Sequence, residues 1–424
     1  MDTINKCYKN NMLSQNLILR PIKYIAGYLS LTVLVFCIKY SEEIGLINTL
    51  FTTMISIVFF ISFIFGFSLG RGSAEFKYCS VENWNNKSSF RKIQFIFLLC
   101  CILNIVICIV NIFSFYPSVS IAFDYLLSPG KAYEYVKHLR YSGIDNGDIE
   151  LNSNIGRFLT LCAFSKYIVF SFLCLYWKDF NFIAKFIGFL SCGVYLIQSF
   201  LIGAMINIAV MIFSMLPFAL SDKGKKGIRH KTCVILFVIL FCVCLCFFLG
   251  NRFIDTDNGF WNVVAKGLDE MLFYVSHGYV GLSYSLELPY ISTMGQTTFY
   301  GLSRNINKLL GIPSTWENSY LVRSQELNGW NALSVWSTIF PWIASDFSFF
   351  LIPLIMFFVG KIGRHFWIDY LKTENPFAFL MMGQFFVFSF MIPANNQLFH
   401  TWANAIGTIM LTCMYFISKA KIRR

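Results

Sequence analysis

Apolar residues along this chain come in long unbroken runs separated by short polar segments, not at the spacing of amphipathic stripes. A helix needs about 20 such residues to cross a bilayer. The pattern predicts spans at 22–38, 46–69, 93–116, 157–177, 180–197, 200–220, 232–250, 346–362, 376–393 and 401–418. At about 1.5 Å per residue the stretch 180–220 is twice what one crossing requires, so we divide it near Gln198 and Ser199. The fold class that follows is an all-α polytopic integral membrane protein, with about ten transmembrane helices in a single domain over 1–424. The first run follows a polar lead and ends at Lys39 without a small-residue cleavage site, so it reads as a retained span.

Composition agrees: 56% of the 424 residues are hydrophobic and 13% are charged. Soluble domains carry about 25% charged residues, so an ordinary cytosolic enzyme is excluded. The net charge of +12 gains meaning once it is sorted by side. With the N-terminus inside, inner segments hold 23 Lys and Arg and outer segments hold ten, whereas 15 of the 22 acidic residues lie outside. That bias obeys the positive-inside rule with both termini cytoplasmic. The basic excess is therefore an orientation signal, and no nucleic-acid partner is expected. All 14 Cys fall in spans or inner segments, away from an oxidising outer compartment. The five His are scattered and the Cys lack paired CxxC spacing, so no metal or other cofactor is expected.

Two outer segments, 117–156 and 251–345, are long enough to fold. The first predicts a short helix from Lys131 to Arg140, with Ala132, Val136 and Leu139 on one face, and then a turn at Asp145-Asn146-Gly147-Asp148. The second holds five of the nine Trp: Trp261, Trp316, Trp330, Trp336 and Trp342. Trp336 and Trp342, close to the next span, read as an interfacial belt; the others suit that belt or sugar stacking equally. Residues 297–310 predict an amphipathic helix with Phe299, Leu302, Ile306, Leu309 and Leu310 on one face. Arg304 and Lys308 share the opposite face, where like charges repel by about 0.2–0.5 kcal/mol. An anion would reverse that sign; a solvated face explains it as well. Lys166 is the one cation inside a span. Its insertion costs around 2.5–3.5 kcal/mol unless it meets water or a partner. His277 follows a predicted helix marked by Val264, Leu268, Met271, Leu272 and Val275, and is either a base or a structural imidazole.

The organisation of many spans, one medium and one large outer loop, few His and several outer Arg resembles the Wzy-type O-antigen polymerases. Two local stretches carry the likeness further. Gly295-Gln296-Thr297-Thr298-Phe299 leads into the Arg304 helix, and Asn331, Thr338 and Asp346-Phe347 are similar to that family's Asn, Thr and Asp-Phe-Gly pattern. Ser348 stands where the family commonly has Gly, and the periplasmic Arg–ten residues–Gly motif of some members is absent. The resemblance implies glycan extension on the periplasmic face of a bacterial inner membrane. Its substrates would be oligosaccharide repeat units on undecaprenyl pyrophosphate, and its partners the lipid bilayer and a chain-length regulator. Under that reading Arg140, Arg157, Lys166, Arg252, Arg304, Lys308 and Arg323 are the candidates for holding pyrophosphate or glycan, and His277, Glu317 or Asp346 for the base. An O-antigen ligase differs only in acceptor. A polyprenyl-phosphate-sugar transferase would want outer acids such as Glu42-Glu43 or Asp255-Thr256-Asp257. A flippase would show internal repeats, which this chain lacks.

Overall fold

The computed structural model describes residues 15–69, 87–126, 129–142, 154–221, 260–333 and 335–422. Among them every regular element is a helix. The first half contains α1 (Arg20–Tyr40), α2 (Leu46–Ser68), α3 (Lys87–Phe115), α4 (Val119–Leu126), α5 (Pro129–Ser142), α6 (Asn154–Leu161), a 3-10 turn at Cys162–Phe164, α7 (Ser165–Leu175), α8 (Phe182–Leu201) and α9 (Met205–Leu220). The second half contains α10 (Phe260–Ser276), α11 (Gly278–Leu286), α12 (Tyr300–Leu310), α13 (Tyr320–Asn328), α14 (Ile339–Thr373), α15 (Pro376–Met391) and α16 (Trp402–Ile422).

Among the described residues six stretches are long and apolar enough to cross a membrane: α1, α2, Phe90–Phe115, Phe158–Leu175, α8 and α14. Ile206–Leu220 and Pro376–Met391 are shorter apolar helices. The expected span at 232–250, and Arg252 beyond it, lie outside the described residues. The chain is thus a helical membrane protein, and the side chains of α2 show why. Its large apolar residues Phe51, Met54, Ile61 and Phe65 point outward, while Thr49, Thr52, Ser56 and Gly66 face the bundle. Such an outward face has no place in water; in lipid, small and hydroxyl side chains belong at helix contacts.

α15 is buried on every side and packs against α1, α7, α9, α14 and α16, as expected of a helix apolar all round. α2 and α14 make the most extensive pair. Gly66 lies on the Phe357 backbone and Gly360 on that of Phe63, where a Cβ would collide. Arg364, buried in α14, donates to the Phe67 and Ser68 carbonyls at 3.0 and 3.2 Å, placing a cation on the C-terminal end of α2.

The break in 180–220 comes at Ile202–Ala204, a few residues beyond Gln198 and Ser199. Gly203 takes the left-handed conformation there (φ 66°), and the Tyr116 hydroxyl donates to the Leu201 carbonyl at 2.8 Å. Tyr116, Tyr125 and Tyr135 stack under this break, joining α3, α4 and α5. The short helix expected at Lys131–Arg140 is α5, with Ala132 and Val136 buried.

α14 is two helical pieces joined at Ser348, whose backbone lies at φ 62°, ψ 156°. This region is essentially reserved for glycine and costs other residues about 1–3 kcal/mol. Its hydroxyl partly compensates by accepting from the Phe350 amide at 3.2 Å, as an N-cap of the second piece. Ser348→Gly should therefore stabilise the protein by roughly 1 kcal/mol, because glycine gives up only a few tenths as a cap while relieving the strain. Thermal unfolding in detergent reads this, and an unchanged or lower midpoint would contradict it.

Candidate functional site

The two stretches that carried the family likeness meet in space at Asp346. Its carboxylate accepts from the Thr293 hydroxyl and from the backbone amides of Gly295 (2.8 Å), Thr297 (3.4 Å) and Thr298 (2.6 Å). Its own carbonyl accepts from the Tyr290 hydroxyl at 2.7 Å. Gln296 continues the fastening: its side-chain oxygen accepts from Asn307 at 2.8 Å and from the Thr315 amide at 2.9 Å. The Gly295–Thr298 turn is thus pinned to α14, and α12 starts directly after it. Asp346, 6% exposed and with both oxygens engaged, positions this turn; as a base it would first have to release it.

α12 is the expected amphipathic helix, but its apolar residues are not what docks it on the protein. Leu309 and Leu310 are 83% and 63% exposed, and Ile306 is exposed too. The contact runs instead through Gly301, whose amide donates to the Phe399 carbonyl at 2.8 Å and whose missing Cβ admits the Thr401–Trp402 backbone. Arg304 and Lys308 are exposed on this helix. They are held at the start of α16, because α12 packs there.

Lys166 reaches the same place. Its ammonium donates to Asn404 Oδ1 at 3.2 Å and lies 5.1 Å from the Tyr167 ring. Among the described residues no carboxylate pairs with it. α6, which carries Arg157, also packs on α16. Arg140 belongs to α5, which packs against α4 and α8 and so joins a different part of the bundle. Nothing is described of the Arg140 and Arg157 side chains. Arg323, on α13, donates through Nε to the Asn318 carbonyl at 3.0 Å and stacks on the Tyr320 ring; one terminal nitrogen is buried without a partner.

Aromatic rings complete the neighbourhood. Trp342 is fully buried, so it is no membrane-interface residue; it packs with Tyr300 (6.0 Å), Trp316 (5.8 Å) and His400 (5.7 Å). Trp336 likewise turns inward, onto Tyr274 and His277. The belt expected from their proximity to a span gives way because the turns at Gly329 and Trp336 fold the segment back over α10 and α11. Trp261, by contrast, is 78% exposed.

The three candidate bases stand differently. His277 is buried at the α10–α11 junction, stacked on Phe273 at 4.2 Å with its Nδ1 against the Phe273 carbonyl. Burial pushes its pKa down to about 4, although the Phe273 and Val335 carbonyls favour the cation. Glu317 is exposed in the 3-10 turn Trp316–Asn318. His400, which the sequence did not single out, lies between Tyr300 and Trp342, and burial lowers it to about 4 as well. The clue was the polar run Asn395-Asn396-Gln397 between two apolar helices, all three buried. Among the described residues no cluster of His, Cys, Asp and Glu could hold a metal ion.

No protein-family model, curated protein or solved structure matches the chain. The reading of the site therefore rests on its own chemistry.

Two outcomes follow. Asp346→Asn should cost roughly 1–3 kcal/mol, because the amide nitrogen cannot accept from the turn and leaves a buried N–H unpaired; an undiminished unfolding midpoint would deny the fastening role. His277 and His400, ordinarily near 6.5, sit near 4 when folded. The unfolded chain then binds more protons between those values, so stability should fall as pH drops from 6.5 towards 4. Unfolding midpoints across that range should flatten in the His277→Gln, His400→Gln double variant.

Proposed function

We propose that the protein polymerises lipid-linked oligosaccharide repeat units by glycosyl transfer at the outer face of a bacterial inner membrane. One observation carries the reading: Lys166 and the Arg304/Lys308 helix meet at the start of α16, and the Arg157 helix packs on the same helix. Lys166 sits there without a carboxylate among the described residues, and the half-buried Tyr300 packs with Trp316 and with His400 just before that helix. A half-buried ammonium with only neutral partners favours an anion, and adjacent rings suit sugar faces.

The exposed stripe of Ile306, Leu309, Leu310 and Ile312 fits a helix lying in the bilayer surface. In that pose Arg304 and Lys308 sit at the depth of a lipid pyrophosphate. An acceptor sugar hydroxyl attacks the donor's anomeric carbon, and the bond from that carbon to the pyrophosphate oxygen breaks, its electron pair leaving with pyrophosphate. The cations offset the developing charge in a water-poor site. His400, neutral at pH 7, is in the form that takes the hydroxyl proton, and a bound pyrophosphate raises its basicity. The same geometry serves an O-antigen ligase, with another acceptor.

Arg304→Ala and Lys166→Met should each cut polymer formation from lipid-linked repeat units by about tenfold or more, the loss expected of a charge-assisted contact. Membrane insertion should be unaffected. Undiminished chain length in both would remove this end of the bundle from catalysis. Cysteine at position 317 should react with an impermeant thiol reagent on intact cells; labelling only after lysis would invert the orientation.

A further inference from the structure

A recess lies where the C-terminal end of α1 meets α10. It is a cleft of about 360 Å³ walled by Lys39, Glu43, Lys266, Asp269, Glu270 and Trp330, with Phe273 and the buried Tyr40 beside them. The two lysines are already matched: Lys39 to Asp269 at 2.6 Å, and Lys266 to Glu270 at 2.9 Å and Asp269 at 3.8 Å. Lys39 lowers the pKa of Asp269 and Glu270 raises that of Lys266. Glu43 has no ion-pair partner among the described residues. Three carboxylates against two ammonium groups make this recess unfavourable for pyrophosphate.

The rings are arranged for contact through their faces. The Trp330 indole N–H donates to the Trp336 carbonyl at 2.9 Å, which fixes the ring and removes its only polar demand. Phe273 is held by stacking on His277. Tyr40, 5% exposed, lies on the same wall with its hydroxyl next to Ser276.

We infer that this cleft is a subsite for an uncharged saccharide, taking one pyranose unit of the glycan at a distance from the pyrophosphate end; the inference rests on the polymerase reading above. A pyranose has an apolar C–H face that lies on an aromatic ring, and hydroxyls that both donate and accept. Carboxylates of Glu43, Asp269 and Glu270 receive those protons, while Lys39 and Lys266 donate to the same oxygens. The cleft volume falls in the range of about 300–1,000 Å³ typical of small-molecule sites. The substrate is then divided by charge: the cations near α16 for its lipid phosphate, and the alternating charges and rings of this cleft for its sugars.

The test uses the full-length protein in lipid nanodiscs, with two probes. One is the free oligosaccharide released by mild acid from the cell's own lipid-linked repeat unit; the other is inorganic pyrophosphate. Glu43→Gln, on an exposed residue, and Glu270→Gln should each weaken oligosaccharide binding, read by saturation-transfer NMR, by about tenfold. Pyrophosphate binding should stay unchanged in both. Arg304→Ala should do the reverse. Oligosaccharide binding that is absent in the native protein, or equal in native protein and both cleft variants, overturns the subsite. Polymer made normally by Arg304→Ala while the cleft variants lose oligosaccharide overturns the polymerase reading and leaves a saccharide-binding cleft.

Discussion

The segment between α11 and α14 hangs on one buried carboxylate. Asp346 gathers a hydroxyl and three amides of the Thr293–Thr298 turn, and that turn decides where α12 starts and how its Gly301 meets the loop before α16. A carboxylate is suited to this because its two oxygens offer several acceptor positions in different directions. Buried amides without such a partner would be costly, so the turn and the helix end exist together or not at all. The strained backbone at Ser348 belongs to the same construction. The kink ends one helix just beyond Asp346 and starts another, leaving the carboxylate at the join rather than in the middle of a continuous cylinder.

Six of the ten expected spans were legible in the sequence as helices long and apolar enough to cross a bilayer, because lipid imposes length and apolarity on each crossing independently of its neighbours. The break between α8 and α9 was read as necessary from length alone. Its placement was not, since Gln198 and Ser199 are polar yet buried within α8, and Tyr116 and Gly203 choose the turn from outside and after it. In the outer segments the existence of α5, α10 and α12 could be read from periodicity. The exposed side of α12 could not, because its docking contact is a glycine backbone, which periodicity of apolar side chains does not register.

Site residues divide in the same way. Asp346 stood out by pattern, but its engagement with a turn some fifty positions earlier emerges only in three dimensions. Arg304, Lys308 and Lys166 were visible as charges in unusual places, and their shared neighbourhood at α16 is a product of packing. His400 was hidden because its neighbours Tyr300 and Trp342 come from two other segments. Lys266 and Glu270 had the spacing of a helical ion pair, a signal that surface helices show so often that it pointed nowhere by itself.

The burial of α15 on every side has a bearing on how the protein is made. Its partners α1, α7 and α9 are synthesised long before it, and α14 and α16 flank it at the end of the chain. The early helices therefore enter the bilayer with the surface meant for α15 covered by lipid or by one another. They can adopt their final contacts only when the last three helices arrive. Assembly waits on α15 and α16, so a product cut before Pro376 would carry Lys166 and the Arg304/Lys308 helix without the α16 contacts that bring them together.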